Sequence, residues 1–149
     1  MGSTPHPGLF ANYTAEELIN VCRTNIIPVT LLSRYFMQRM KNQGIKGLII
    51  NNSSCLEAYP VPYGAIYAAS KAFTRSLTKS LQYEAKPWGI EVQLLSPAFL
   101  VTKINSYSSI IMRGNWFIPG VRQYVRSAVK TIGKVNETTG YLSHAVQVS

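Results

Sequence analysis

Acidic residues are scarce in this 149-residue chain: six stand against fifteen lysines and arginines, for a net charge of +9. Long apolar runs are absent too. No window approaches the roughly 18 uninterrupted apolar residues of a membrane span, and the first residues show no basic segment followed by an apolar one of the leader type. Cysteine is sparse. Cys22 and Cys55 lie far apart and in no metal-ligand or redox spacing, so free thiols in a reducing compartment are the expectation. No zinc-finger spacing and no aromatic-basic ribonucleoprotein motif is present, which removes the common nucleic-acid modules despite the positive charge. No internal repeat is visible. What remains, 46% apolar residues in a chain of this length, suits one core belonging to one domain or part of one.

The charge has one organised piece. Arg122, Arg126, Lys130 and Lys134 recur every four residues, while Val121, Val125, Val129 and Ile132 take another side of the same expected helix. A solvated helix face explains this stripe; so does a surface for phosphate groups or lipid, and the pattern leaves both open.

Along the chain, residues 1–13 are rich in Gly, Pro and Ser and read as a lead-in loop. Thr14 followed by Glu17 forms a capping box, and Glu16 with Glu17 complements the dipole of the helix that starts there. Helical spacing continues through Leu31, Leu32, Tyr35, Phe36 and Met40, with a break expected near Pro28 and an end at residues 42–44. GLIIN, residues 47–51, is a short apolar run of the kind buried on both faces of a parallel sheet. A polar, Pro-containing loop leads to a long helix over 65–86 with Ala, Leu and Phe along one side, stopped by Pro87-Trp88-Gly89. Residues 90–95 form the next strand. Strand, helix, strand is a parallel unit with a right-handed crossover. A loop over 96–120, the basic helix and a short segment over 138–147 complete the chain. Two strands alone leave sheet edges uncovered, so the expected fold is α/β, the C-terminal part of a doubly wound Rossmann-type sheet whose N-terminal strands are missing, with residues 1–149 one partial domain.

The candidate chemistry lies on the long helix. Tyr67 and Lys71 are four residues apart and share one face. An ammonium held near a phenol favours the phenolate and brings it toward acid/base use. Ser54 lies thirteen residues before Tyr67, at the carboxyl end of the preceding strand, the edge where open α/β sheets bind ligands. A carbonyl oxygen placed there would receive hydrogen bonds from both hydroxyls. Tyr-x-x-x-Lys alone is weak, and a surface Lys near a core Tyr is the plain alternative. Its setting, after an apolar strand ending in Ser-Ser and before a strand ending in Ser-Pro, is what strengthens it.

Those segments, IINNSS, PVPYGAIYAASKAF and LLSPAFLVTKI, resemble the catalytic half of the short-chain dehydrogenase/reductases. Together with TIGKVNETTGYLSHAVQ they are similar to the branch containing 17β-hydroxysteroid dehydrogenases and very-long-chain 3-oxoacyl-CoA reductase. The resemblance implies Tyr67 as catalytic acid/base, Lys71 as the residue that binds nicotinamide ribose and lowers the tyrosine pKa, and Ser54 as the substrate-orienting hydroxyl. It adds Asn25, a position with no claim of its own, as holder of a water in the proton relay. Pro97, Leu100 and Thr102 match the segment that cradles the nicotinamide, with Ala98 in place of the usual glycine. The stretch through Tyr107, Met112, Trp116 and Phe117 looks like the substrate lid. Implied further are NADP in preference to NAD, no metal, a hydrophobic substrate such as an acyl-CoA or steroid, a homodimer through the helices at 14–42 and 65–86, peripheral membrane contact and the endoplasmic reticulum. Nucleic acid is not implied. The family's Thr-Gly-x-x-x-Gly-x-Gly turn does not occur in these 149 residues, so the expectation is that the chain alone is inactive. A non-catalytic role as a binding or dimer-modulating protein is the alternative. The triplets at Asn12, Asn52 and Asn136 read as coincidental glycosylation sequons.

Overall fold

The structure is a computed structural model that describes residues 6–101 and 108–148. Helix α1, Ala15–Val21, opens on the expected capping box: the Thr14 side chain accepts from the Glu17 amide, and the Glu17 carboxylate accepts from the Thr14 backbone N–H at 2.8 Å. Removing the cap with Thr14→Ala should cost about 1 kcal/mol, read as a lowered urea midpoint with unchanged slope. A five-residue π-helical segment, Cys22–Ile26, separates α1 from α2, Ile27–Gln43. The irregularity expected near Pro28 therefore lies just before it. Pro28 occupies the first turn of α2 directly after that segment, where its missing N–H coincides with the change from π to α hydrogen bonding. Gly44, with φ +63°, closes α2 in the left-handed conformation that a side chain would resist.

Strand β1 is Gly47–Asn52, α3 is Ala65–Ala85, and β2 is Ile90–Leu95. β1 and β2 pair in parallel from Gly47 opposite Ile90 to Asn52 opposite Leu95. A third strand completes the described sheet: β3, Glu137–Thr138, pairs in parallel with Leu94 and Leu95, giving the order β1-β2-β3. Two residues are too few for periodicity to reveal. Between β2 and β3 lie α4, Ser109–Arg113, and α5, Val121–Ala128; α6, Leu142–Val148, follows β3.

Packing corrects three sequence expectations. β1 is not buried on both faces: of its residues only Asn51 is buried, Ile49 is partly buried against the core, and Ile50 is exposed, at an edge of the described sheet. The buried strand is β2, whose Ile90, Val92 and Leu94 pack in the core. The inward face of α3 keeps Ala68 and Ala85 and packs Leu81 against the core, but it is mostly polar and leaves Phe73 outside. Ala68, Ser70, Lys71, Thr74, Thr78 and Ala85 are buried, while Phe73 reaches solvent. On α5 neither periodic stripe packs inward. Tyr124 and Ala128 are buried, while Val121, Val125 and Val129 are as open as the basic residues beside them. α2 behaves alike, burying Ser33 and Met37 and exposing Leu31, Leu32, Tyr35 and Phe36.

Candidate active site

Hydroxyls along the inward side of α3 turn their hydrogen bonds onto its own carbonyls. Ser70 donates to Tyr67, Thr74 to Ser70 and Thr78 to Thr74, at 2.7–3.1 Å. Each bond satisfies a hydroxyl that would otherwise be buried without a partner. Two of them, Ser70 and Thr78, also accept from neighbouring elements. Asn25 Nδ2 donates to Ser70 Oγ at 3.0 Å, and Asn51 Nδ2 of β1 donates to Thr78 Oγ1 at 3.0 Å, while Ser33 Oγ of α2 donates to Asn51 Oδ1. A polar seam thus fixes the rotation of α3 against α2 and β1.

That rotation places Lys71. The residue is only 7% exposed, and its Nζ donates to the Asn52 carbonyl at 3.3 Å. The ammonium stands 5.6 Å from the centroid of the Tyr67 ring, so the four-residue spacing is realised as a cation over a phenol. Burial lowers the Lys71 pKa, and the Glu57 carboxylate opposes that shift. Ser53 Oγ donates to the Lys71 carbonyl at 3.0 Å, tying the end of β1 to the same turn of α3. Ser54, next in sequence, is buried two residues beyond β1, and its Oγ accepts from the Leu56 amide to open the short 3-10 turn Cys55–Ala58. Cys55 N–H donates to the Pro97 carbonyl at 2.9 Å, so the Ser54 turn and the start of residues 97–100 are joined across the sheet end.

Asn25, implied by resemblance alone, is 6% exposed and sits in the π-helical turn against α3. π-turns of this kind recur at functional sites. Pro97 and Leu100 lie in the extended segment after β2; Thr102 and Tyr107 fall outside the described residues. Met112, Trp116 and Phe117 are all exposed, and the last two stack edge to face.

Two residues escaped the sequence reading. Glu57 carries a buried side chain whose Oε1 accepts from Ser96 Oγ and from Arg75, each at 2.8 Å; Arg75 also pairs with Glu137 at 2.7 Å. Glu57 Oε2 has no partner. His144, on α6, is fully buried beside Tyr124 and Tyr141. Neither belongs to a spaced motif, and the half-buried arginine that partners Glu57 stands eighteen residues away, beyond any local pattern. The loop before α3 also carries the one non-glycine residue with positive φ among those described, Tyr63 at +62°, whose carbonyl accepts from Gly8 N–H and the Tyr13 hydroxyl. A cavity of about 610 Å³ opens beside residues 57–62 and Ala65, Ala68, Ala69 and Ala72 of α3.

A parallel sheet flanked by helices, with hydroxyl and ammonium groups gathered at the strands' carboxyl ends, defines the C-terminal part of a doubly wound Rossmann-type oxidoreductase fold. The chain belongs to the short chain dehydrogenase family, whose sequence profile matches residues 2–110. It is 34% identical over 143 residues to the "inactive hydroxysteroid dehydrogenase-like protein 1" of Pongo abelii, covering 96% of this chain and 43% of that protein. A very-long-chain 3-oxoacyl-CoA reductase of Caenorhabditis elegans is 32% identical over 133 residues, 89% of this chain and 40% of its own length. The chain therefore spans about two fifths of the curated relatives it matches. Among solved structures, the bulky-bulky ketone specific alcohol dehydrogenase from Comamonas testosteroni superposes with a TM-score of 0.78 at 25% identity, over 98% of this chain and 54% of that one. A 4-hydroxyisoleucine dehydrogenase complexed with NADH and succinate gives 0.76 at 25% identity, over 89% and 57%. No helix among the described residues is long and apolar enough to cross a membrane.

Proposed function

We propose that this chain is the proton-handling half of an NADPH-dependent reductase that acts on a hydrophobic ketone, a 3-oxoacyl-CoA or a 17-oxosteroid. The observation that carries the reading is the buried Lys71 ammonium beside the Tyr67 ring. An ammonium has three donors, and among the described residues one is used, on the Asn52 carbonyl. The others suit the hydroxyls of a nicotinamide ribose. Lys71 and Tyr67 would hold that end of the cofactor, with Pro97, Leu100 and Thr102 along the nicotinamide. When bound, a reduced nicotinamide supplies the hydride. Ser54 and Tyr67 donate hydrogen bonds to the carbonyl oxygen, and Tyr67 gives up its phenolic proton as that oxygen gains charge. The phenolate left behind is stabilised by Lys71 and regains a proton from solvent through the relay that ends at Asn25. Support for the substrate class comes from the named reductase and steroid dehydrogenase relatives and from the exposed apolar residues Met112, Trp116 and Phe117.

The test uses two proteins: the 149-residue chain, and a fusion placing the nucleotide-binding strands of a matched relative ahead of it. With NADPH, a 3-oxoacyl-CoA and a 17-oxosteroid, turnover is expected from the fusion and not from the chain. Absence of turnover by a folded fusion that binds NADPH would sink the reading.

The exposed residues of α2 favour a second reading, in which the chain acts by association. Leu31, Leu32, Tyr35 and Phe36, with Phe73 of α3, offer an apolar surface suited to a second copy, making the chain a non-catalytic, dimer-modulating protein. Sedimentation of the chain separates the two: a dimer lost on Tyr35→Asp and Phe36→Asp, with no turnover by the fusion, favours association alone.

A further inference from the structure

His144 is the most completely buried ionisable side chain in the described structure, at 0% exposure, and the proton chemistry above does not use it. Its Nδ1 accepts from the Ala98 backbone N–H at 3.2 Å. An imidazole that accepts at Nδ1 carries its proton on Nε2, so the neutral Nε2–H tautomer is fixed. Nε2 itself makes no hydrogen bond, although the Phe99 and Phe117 carbonyls are near enough to favour the charged ring. The neighbours of His144 on the same helix hold a different segment. Ser143 Oγ donates to the Trp116 carbonyl at 2.9 Å, and Gln147 Nε2 donates to the Phe117 carbonyl at 2.8 Å.

We propose that His144 is a positioning residue: α6 acts as a clasp that fixes residues 97–99 through the His144 imidazole and residues 116–117 through Ser143 and Gln147. The segment assigned to the nicotinamide and the segment assigned to substrate are then set by one helix. The functional meaning rests on the reading above; the clasp does not. Ala98 matters here because its N–H, at the position where the family has glycine, is the donor that His144 receives.

The same geometry makes the clasp sensitive to acid. A proton on Nδ1 removes the acceptor and turns the Ala98 N–H and the ring nitrogen into two facing donors. Burial lowers the His144 pKa from 6.5, the two carbonyls oppose it, and the ionisable side chains packed on the ring are the phenols of Tyr124 on α5 and of Tyr141. Burial holds the Tyr124 phenol well above its ordinary range, so the acid transition belongs to the imidazole. For a group with a depressed pKa that gains a proton in acid, the unfolded state binds more protons between the folded value and 6.5. The clasp's contribution is complete above 6.5 and is lost as pH falls through that window.

The test is run on the whole chain carrying Trp88→Phe, so that emission reports Trp116 alone. In His144→Phe, the Ala98 amide should lose about tenfold of its exchange protection, and in Ser143→Ala with Gln147→Ala the anisotropy of Trp116 emission should fall as residues 116–117 are released. His144→Gln, whose side-chain carbonyl can accept from Ala98, should restore the Ala98 protection. Acidification far enough to protonate the folded imidazole, whose pKa lies below 6.5, should lower the Ala98 protection factor as His144→Phe does and leave that of His144→Gln unchanged. Ala98 exchange that ignores both substitution and imidazole protonation, followed by nitrogen resonances, overturns the clasp. If the clasp is seen but NADPH added to the fusion leaves Ala98 and Trp116 unperturbed, the clasp stands and the cofactor assignment of residues 97–100 falls.

Discussion

Tyr67→Phe in the fusion enzyme is expected to lower kcat by about 10²- to 10⁴-fold, the range that a positioned proton donor contributes. The substitution removes one oxygen and leaves the ring under the Lys71 ammonium, so cofactor affinity should change little. Phenylalanine cannot donate, and water reaching the same carbonyl lacks both the fixed position and the stabilised conjugate base. NADPH titration with single-turnover kinetics separates the two effects. Retention of more than a tenth of the rate by Tyr67→Phe would remove Tyr67 from the mechanism, whatever the family places there.

Glu57→Gln has the largest expected effect on the fold itself, and it reaches the site as well. The Glu57 carboxylate accepts from Ser96 and Arg75 in a place its side chain does not share with water. Taking the charge away while the guanidinium stays costs about 2–4 kcal/mol, below the full cost of breaking a buried pair because Arg75 is one-third exposed and keeps Glu137. Urea unfolding reads this directly. The second consequence concerns Lys71. Burial already lowers its pKa, and the Glu57 carboxylate resists that shift, so the substitution lowers it further. Loss of the ammonium removes support for the Tyr67 phenolate. The alkaline limb of the fusion's kcat profile should therefore move to lower pH in Glu57→Gln, while the acid limb stays. A stability loss with an unmoved alkaline limb would make Glu57 a purely structural residue.

Much of the plan was legible because it is written locally. The capping box at Thr14 needs three residues, the stop at Gly89 needs a left-handed glycine after Pro87, and Tyr67 with Lys71 needs one helical turn. β2 was legible for the same reason, and so was the parallel crossover. Burial was harder to read. Helix α3 turns Leu81 toward the core and Phe73 outward, yet most of its inward face is Ser70, Thr74 and Thr78, since those hydroxyls satisfy themselves on the preceding turn and two of them then serve Asn25 and Asn51. A Ser/Thr row reads as solvent-facing unless its partners are known. The valines of α5 stand in solvent, and Tyr124 and Ala128 are the side chains that helix buries.

The sequence by itself determined the elements that local rules specify and the family, and it singled out Ser54, Tyr67 and Lys71 as the candidate site. Tertiary structure alone decided which faces are inside and how the site is charged. Glu57 reaches Lys71 and Ser96 from a different turn, and His144 reaches Ala98 across 46 residues of chain. Long-range pairings of this kind leave no periodic trace: a single buried carboxylate or imidazole is specified by desolvation and by whichever partner the fold delivers, and neither exists until the chain has folded.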